Sequence, residues 1–230
     1  MKTKPILAKT APTHAIRGGF KIILVDDHPV MRNGLAQLID QEGDLKVCGQ
    51  FEDSGLAFAA IPGLQPHLAI VDLSLKSSSG LDLVKNIKAA FPLVAILVLS
   101  MHEESLYAER VLHAGAAGYI MKQEATDRVL SAIRQVLNGG IYLSEGMSSK
   151  FVHRLATGRT TVGGSVTERL SDRELEVFGL IGQGRGTRQI AEHLRLSIKT
   201  IESHRAHIKE KLNLKTSTEL VHMAIQMRGQ

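Results

Sequence analysis

Five polar side chains stand at the ends of apolar runs that have the length of β-strands: Asp26, Asp27, Asp72, Ser100 and Lys122. The carboxyl ends of parallel strands meet at one edge of a sheet, where ligands bind. Three carboxylates at such an edge repel one another and require a cation, and hard oxygen ligands suit Mg²⁺. An aspartate beside a metal ion can attack phosphorus and form an acyl phosphate. We therefore predict a Mg²⁺ site in which Asp72 is the nucleophile.

Lys122 and Ser100 complete this predicted chemistry. An ammonium group pairs with phosphoryl oxygens, and a hydroxyl donates a hydrogen bond to one of them. A single aspartate after a strand is more often a helix cap or a turn residue. The prediction therefore depends on all five residues occurring together, each at a strand end.

The elements that must position these residues follow from the apolar pattern of residues 20–140. Continuous apolar runs are typical of parallel strands buried on both faces, and five of them alternate with segments of helical period. The predicted strands are Phe20–Val25, Leu45–Phe51, Leu68–Leu73, Val94–Ser100 and Gly118–Met121. The predicted helices start at His28-Pro29 and continue with Ser54–Ile61, Leu81–Phe91, Glu103–Ala114 and Thr126–Asn138. Five such units predict an α/β fold with a doubly wound, parallel five-stranded sheet.

The rest of the chain divides into a linker and a helical domain. Residues 141–166 contain turn residues and no sustained period, which predicts a linker. Residues 167–230 are predicted to form an all-α domain of four helices, and a capping box at Ser171 and Glu174 opens the first. The other three are predicted at Thr187–Leu194, Lys199–Leu212 and Thr218–Met227. The tight turn between the second and third helices is typical of a helix-turn-helix.

Charge is unevenly distributed along the chain, whose formal net charge is +5. Residues 1–19 have four basic and no acidic residues, and we expect a disordered basic tail there. Residues 20–140 contain ten basic and fourteen acidic residues, whereas residues 166–230 contain eleven basic and eight acidic residues. A basic C-terminal domain suits a polyanionic partner.

Hydropathy and cysteine content limit the compartments in which we expect the protein. No apolar run approaches the length of a membrane span, and we expect no signal peptide. Cys48 is the single cysteine, which excludes a disulfide framework within the chain and a metal site built from cysteines. We therefore expect a cytoplasmic protein without a membrane partner.

Four segments resemble the signature segments of two-component receiver domains, in the same order and at the same spacing. They are Val25-Asp26-Asp27-His28, Val71-Asp72-Leu73, Leu99-Ser100-Met101-His102 and Gly115-Ala116-Ala117-Gly118-Tyr119-Ile120-Met121-Lys122. The resemblance covers residues 20–140 and implies a flavodoxin-like (βα)5 fold. It also implies that a sensor histidine kinase phosphorylates Asp72.

The same resemblance implies roles for the residues around Asp72. The implied metal ligands are Asp26, Asp27, Asp72 and the backbone carbonyl of Ser74. Ser100 and Tyr119 resemble the family's switch residues, and Lys122 its phosphoryl partner. Many receivers have a proline four residues after the phosphoacceptor, where this chain has Lys76. We expect a more mobile loop there, and the lifetime of the phosphoryl group stays open.

Residues 170–228 resemble the DNA-binding module of response regulators of the LuxR/NarL/FixJ type. The resemblance is carried by Leu170-Ser171-x-Arg173-Glu174, Gly184, Ile190-Ala191, Leu194, Leu196-Ser197, Thr200-Ile201, His204 and Ile208-x-x-Lys211-Leu212. It implies double-stranded DNA as a partner. It also implies a homodimer when the protein is phosphorylated, with part of the last helix pairing two domains.

The third helix of this module has two predicted faces. Ile201, Ile208 and Leu212 recur at helical spacing and are predicted to face the core. Early outward residues of a recognition helix meet base edges, and these are Glu202, Ser203 and Ala206. Phosphate contacts are predicted for Lys199, Thr200, His204 and Lys209. Two interpretations of Glu202 stay open, because its carboxylate can accept from a cytosine amino group or simply repel phosphate.

The two resemblances together predict a response regulator in which phosphorylation of Asp72 switches a DNA-binding transcription regulator. Such a receiver catalyses its own phosphorylation and is not a turnover enzyme. One alternative is a phosphatase or phosphotransferase, but hydrolases of the haloacid dehalogenase type have a second acid where this chain has Ser74. Another is a binding module that uses no phosphate, in which the receiver is a dimerisation scaffold.

Overall fold

The computed structural model describes residues 19–75, 79–157, 169–194 and 196–228. Three sequence-based expectations lie largely or wholly outside these residues. They are the basic tail at 1–19, the loop that follows Lys76, and the glycine-rich part of the linker after residue 157.

A parallel five-stranded sheet with the order β2-β1-β3-β4-β5 forms the N-terminal domain. The strands are β1 (Phe20–Val25), β2 (Leu45–Phe51), β3 (Leu68–Val71), β4 (Ala95–Ser100) and β5 (Gly118–Met121). The helices are α1 (Pro29–Asp40), α2 (Ser54–Leu64), α3 (Gly80–Ala90), α4 (Glu104–His113) and α5 (Ala125–Leu137), and a 3₁₀ turn at Lys122–Glu124 precedes α5. This strand order is flavodoxin-like, and the predicted fold is confirmed.

Both faces of the sheet are covered, as β1 shows. Ile23 and Val25 belong to the apolar cluster that includes α2, α3 and α4. Ile22 and Leu24 belong to a second cluster, formed with α1 and α5. All four side chains are at most 1% exposed. Successive strand residues point to opposite faces, so a strand buried on both faces must be apolar at every position.

The strand order places the polar residues at one edge. The chain passes from β2 at one side of β1 to β3 at the other, and Val25 is paired in register with Val71. Asp26 and Asp72 are the next residues of these two strands and therefore emerge side by side. This is the point where strand order reverses, and it is the usual ligand site of such sheets.

The segment 141–166, which we predict to be a linker, contains a helix that its sequence pattern did not indicate: α6 spans Glu145–Thr157. The Ser144 hydroxyl accepts a hydrogen bond from the Met147 amide at 3.2 Å and stabilises the first turn. The Ser144 amide donates to Glu104 Oε1 at 2.9 Å, which ties the segment to α4. Met147 is buried, so α6 packs through an apolar residue that its weak period does not reveal.

Four helices form the C-terminal domain: α7 (Asp172–Gly182), α8 (Thr187–Leu194), α9 (Ile198–Leu212) and α10 (Ser217–Arg228). The predicted capping box is confirmed. The Glu174 amide donates to Ser171 Oγ at 3.3 Å, and the Ser171 amide donates to Glu174 Oε2 at 2.7 Å. A Cβ at Gly182 would lie 2.6 Å from the Ala224 carbonyl oxygen, so glycine permits α7 and α10 to approach closely. None of the described helices is long and apolar enough to cross a bilayer.

Glu174 links the start of α7 to α9 and should contribute to stability in a pH-dependent way. Its side chain is buried, and Lys211 Nζ donates to Glu174 Oε2 at 2.7 Å. Burial alone would raise the pKa of Glu174, but the hydrogen bonds from Lys211 and Ser171 outweigh it and hold the pKa below the ordinary value of 4.5.

We expect Glu174→Gln to lower the free energy of unfolding at pH 7. Glutamine keeps the cap but loses the charge. A carboxyl with a depressed pKa stabilises the folded state above its unfolded pKa and stops doing so as the pH falls through its folded pKa. The difference between wild type and variant in urea unfolding should therefore be full at pH 6 and shrink below about pH 4.5. Glu192→Gln is the control, since Glu192 is 70% exposed and its pairing with Arg188 is a surface contact. A pH-independent difference would contradict this account.

Candidate functional site

Lys122 lies between two carboxylates at the carboxyl edge of the sheet. Its Nζ donates to Asp72 Oδ2 at 2.8 Å and lies 2.7 Å from Asp26 Oδ2. Asp26 follows β1, Asp72 follows β3 and Lys122 follows β5. These two contacts bring together three of the five residues singled out from the sequence, although 96 positions of the chain separate Asp26 from Lys122.

The carboxylates of this pocket are buried and strongly coupled to Lys122. Asp26, Asp27, Asp72 and Lys122 are all buried, at most 7% exposed. Burial raises the pKa of Asp72, and the neighbouring ammonium group of Lys122 opposes that shift. Burial acts to lower the pKa of Lys122, but the carboxylates of Asp72 and Asp26 outweigh it and the pKa is raised. Lys122 is therefore a firmly held cation at neutral pH.

The donor set of the pocket fits a hard divalent cation. Ligand atoms of Asp26, Asp27, His28 and Asp72 all lie within 4.8 Å of one another. Three buried carboxylates carry more negative charge than Lys122 balances, and carboxylate oxygens are the ligands that Mg²⁺ prefers. The mostly exposed imidazole of His28 is a hydrogen-bond partner of Asp26, with Nδ1 3.2 Å from Asp26 Oδ1, and the same nitrogen lies 2.7 Å from Asp27 Oδ1.

Contacts with Ser74 and Gly80 position Asp72. The Ser74 amide donates to Asp72 Oδ1 at 3.1 Å and orients the carboxylate. A Cβ at Gly80 would lie 1.9 Å from the Asp72 carbonyl oxygen, so any larger residue at this position would displace the backbone of Asp72. Sequence reasoning missed Gly80, because its role depends on a close approach to the Asp72 backbone that no local pattern shows. The predicted metal contact of the Ser74 carbonyl stays a prediction.

Helix α9 presents most of the predicted DNA-contacting side chains to solvent. Ile201 and Ile208 are 0% exposed and Leu212 is buried, which fixes the rotation of the helix about its axis. The exposed predicted residues are Lys199, Glu202, Ser203 and Ala206, and Thr200, His204 and Lys209 are half-buried. His207 is exposed on the same helix, although sequence reasoning did not select it. Its position four residues after Ser203 was the signal that could have found it.

Comparisons with known proteins agree with both parts of this geometry. Residues 22–134 match the response regulator receiver domain, and residues 168–224 match the bacterial regulatory proteins of the luxR family. The oxygen regulatory protein NreC of Staphylococcus carnosus (strain TM300) is 36% identical over 212 residues, which cover 90% of this chain and 98% of NreC. NreC of Staphylococcus epidermidis (strain RP62A) is 35% identical over 213 residues, with the same two shares covered. The chain belongs to the LuxR-type response regulators. The sequence-based identification of the family is confirmed.

Solved structures of the family resemble the regulator over most of its length. RcsB from Salmonella enterica serovar Typhimurium, bound to promoter rprA in the presence of the phosphomimetic BeF3−, has a TM-score of 0.58 at 30% identity and covers 89% of this chain and 98% of that chain. The same protein bound to promoter P1flhDC has a TM-score of 0.59 at 30% identity, with 90% and 98% covered. The regulator is therefore a two-component response regulator with a DNA-binding transcription-factor domain.

The two predicted switch residues of the regulator meet at His102. The His102 amide donates to Ser100 Oγ at 3.2 Å, and the Tyr119 hydroxyl donates to the His102 carbonyl at 2.8 Å. The His102 imidazole also lies 2.7 Å from Ser74 Oγ and stacks on Tyr107 with ring centroids 4.5 Å apart. Sequence reasoning assigned no role to His102, which links the predicted switch residues to α4.

Helix α4 also holds the DNA-binding domain of the regulator. Arg110 Nη1 donates to Asp172 Oδ1 at 2.6 Å, and Arg110 also donates to the Leu170 carbonyl. Ser105 Oγ donates to the carbonyl of Met227 in α10 at 3.3 Å. We call this set the interdomain contact. It involves α7 and α10 and leaves the outward side of α9 exposed.

We expect Lys122→Met to destabilise the metal-free regulator by about 3–5 kcal/mol, because it leaves buried carboxylates without their cation. Urea unfolding at pH 7 in the presence of a chelator measures this change. Lys46→Met is the control, since Lys46 is 62% exposed and its ion pair with Asp40 lies at the surface. Such surface pairs contribute about 0–1 kcal/mol. Equal losses in the free energy of unfolding for the two variants would show that the buried ion pairs stabilise the fold no more than a surface pair does.

Proposed function

We propose that Asp72 is the phosphoacceptor of the regulator and that a sensor histidine kinase is the phosphoryl donor. The observation that carries this proposal is the placement of the buried Asp72 carboxylate against Lys122 and beside Asp26 and Asp27. The phosphorylated form then acts on double-stranded DNA through the C-terminal domain, as a homodimer. Its site of action would be the cytoplasm, where such kinases present their phosphorylated histidine.

Asp26, Asp27, Asp72 and the Ser74 carbonyl are the residues that would hold Mg²⁺. When bound, the ion would neutralise negative charge on the incoming phosphoryl oxygens. An Asp72 carboxylate oxygen attacks the phosphorus of the kinase phosphohistidine, a P–O bond forms, and the P–N bond breaks. The electron pair of that bond leaves with the imidazole, which takes up a proton.

Lys122 and Ser100 then stabilise the product. Lys122 already contacts Asp72 and can transfer its hydrogen bonds to the phosphoryl oxygens. The Ser100 hydroxyl donates to another of these oxygens, and its movement would be transmitted to Tyr119 through His102. Each chain accepts one phosphoryl group in this scheme, which is self-catalysed modification and not enzymatic turnover.

An apolar surface beside the pocket supports the docking of a kinase. Val30 in α1 is 86% exposed and Met101 after β4 is 54% exposed. Both line a cavity of about 730 Å³ that reaches Lys122. Large exposed apolar side chains grouped in this way are typical of protein interaction sites.

We expect Asp72→Asn to abolish labelling of the regulator by radioactive acetyl phosphate in the presence of Mg²⁺, because an amide oxygen is not a nucleophile for this reaction. Acidic gels run at low temperature would detect the acyl phosphate, and loss of the label on treatment with hydroxylamine would identify it. Asp82→Asn is the control, since Asp82 is an exposed carboxylate of α3. Undiminished labelling of Asp72→Asn would falsify the assignment.

The interdomain contact supports a mechanism in which the receiver restrains the DNA-binding domain. It engages α7 and α10, and α10 is the helix expected to pair two domains in a homodimer. Because α9 stays accessible, restraint acts on the placement and pairing of the domains more than on the recognition surface. Phosphorylation at Asp72 would move Ser100 and His102, and with them α4, which carries Arg110.

We expect Arg110→Ala to open the unphosphorylated regulator, because Arg110 is only 14% exposed and loses its hydrogen bonds to α7. The loss of this contact should destabilise the closed arrangement of the two domains by only about 1 kcal/mol, because solvent screens the partly exposed Asp172 carboxylate. Small-angle X-ray scattering of the monomer should show a larger radius of gyration than for wild type. Arg128→Ala, at an exposed arginine of α5, is the control. An unchanged radius for Arg110→Ala would contradict the proposed restraint.

A further inference from the structure

Glu202 is a carboxylate on the outward side of the recognition helix without a partner among the described residues. The neighbouring Arg205 does not neutralise it. Burial lowers the pKa of Arg205, and no carboxylate opposes that shift, as an ion pair with Glu202 would. A negative charge therefore stands free on the surface that the proposed function assigns to a polyanion.

The position of Glu202 is firmly set by the core side of α9. Ser197 caps the helix by accepting from the Thr200 amide at 3.0 Å. Ile201 and Ile208 are fully buried, so a rotation of about 100° per residue turns Glu202 away from the core. Glu202 lies in the second helical turn, and the early part of a recognition helix meets base edges.

The surroundings leave Glu202 free to accept a hydrogen bond. Ala206 lies one turn later on the same side and has no polar side-chain atom to compete. Cations for the phosphates are present elsewhere, at the exposed Lys199 and the half-buried Arg205 and Lys209. Binding therefore does not require a cation at position 202, and a carboxylate there can select a base.

Base chemistry limits what this carboxylate can accept from. In the major groove, hydrogen-bond donors are the amino groups of cytosine N4 and adenine N6. Adenine places its N7 acceptor beside the amino group, which repels a carboxylate, whereas cytosine presents the donor alone. A carboxylate that found no such donor would face phosphates and weaken binding to every sequence alike.

We propose that Glu202 is a specificity-determining residue that accepts a hydrogen bond from the N4 amino group of cytosine in the major groove. The proposal rests on the proposed function, because it requires α9 to enter DNA. It adopts one of the two interpretations that the sequence leaves open for this residue.

The test is selection of DNA from a random double-stranded pool by the full-length regulator, phosphorylated with acetyl phosphate and Mg²⁺. Wild type should enrich sites with cytosine at one position of each half-site. Glu202→Gln should change that position to adenine, which glutamine recognises through N6 and N7. Affinity of this variant for the wild-type site should fall by about 5- to 30-fold, the lower part of the range for one base contact. Glu202→Ala should remove the preference at that position without creating another.

Glu210→Gln is the matched control. Glu210 is an exposed carboxylate on the same helix, two turns nearer its C-terminal end. Its substitution should keep the selected sequence and strengthen binding to all DNA by a similar factor, because only repulsion of phosphate is removed. Thermal unfolding of each variant shows that the exposed substitutions leave the fold intact.

The possible failures are distinguishable. If Glu202→Gln keeps the wild-type sequence and binds every DNA more tightly, the carboxylate only repels phosphate and the proposal is overturned. Enrichment by wild type of sites without cytosine overturns it as well, while the proposed function stands. If wild type enriches no sequence at all, DNA recognition itself fails, and the proposal about Glu202 falls with it.

Discussion

The ion pairs of Lys122 with Asp72 and Asp26 are the constraint on which the rest of the structure depends. These groups are buried, and a buried charge is tolerated only beside a partner at hydrogen-bond distance. The distances of 2.8 Å and 2.7 Å require the ends of β1, β3 and β5 to meet within narrow limits. A sheet covered by apolar helices on both faces supplies a scaffold rigid enough to hold them there.

The same pocket explains why its neighbourhood is organised around hydrogen bonds. Ser74, Ser100 and Tyr119 all bond to His102, two of them through its backbone. His102 in turn stacks on Tyr107 of α4, the helix that carries Arg110. In the proposed mechanism, a change in charge at Asp72 needs only a short path of contacting groups to reach the interdomain contact.

Local patterns predicted most secondary structure because the strands are apolar at every position and the helices carry recognisable starts. Four strands and helices, β1, β2, β5 and α8, have the predicted bounds, and several other ends differ by one residue. Helix α6 was missed because tertiary contacts stabilise it. The Ser144 amide donates to Glu104, and Met147 is buried against the rest of the protein. Gly80 and His102 escaped notice for the same reason, since their partners lie on other elements.

The sequence by itself determined the order of the elements and which residue types stand at the strand ends. Those features follow from periodicity and from the chemistry of carboxylates, ammonium and hydroxyl groups, both of which are local. Only the tertiary structure decided that Lys122 forms ion pairs with both Asp72 and Asp26, that Tyr119 reaches His102, and that Arg110 reaches Asp172. The residues of each of these pairs are 17 or more positions apart in the chain, and their distances depend on strand order and helix packing, which no local pattern encodes.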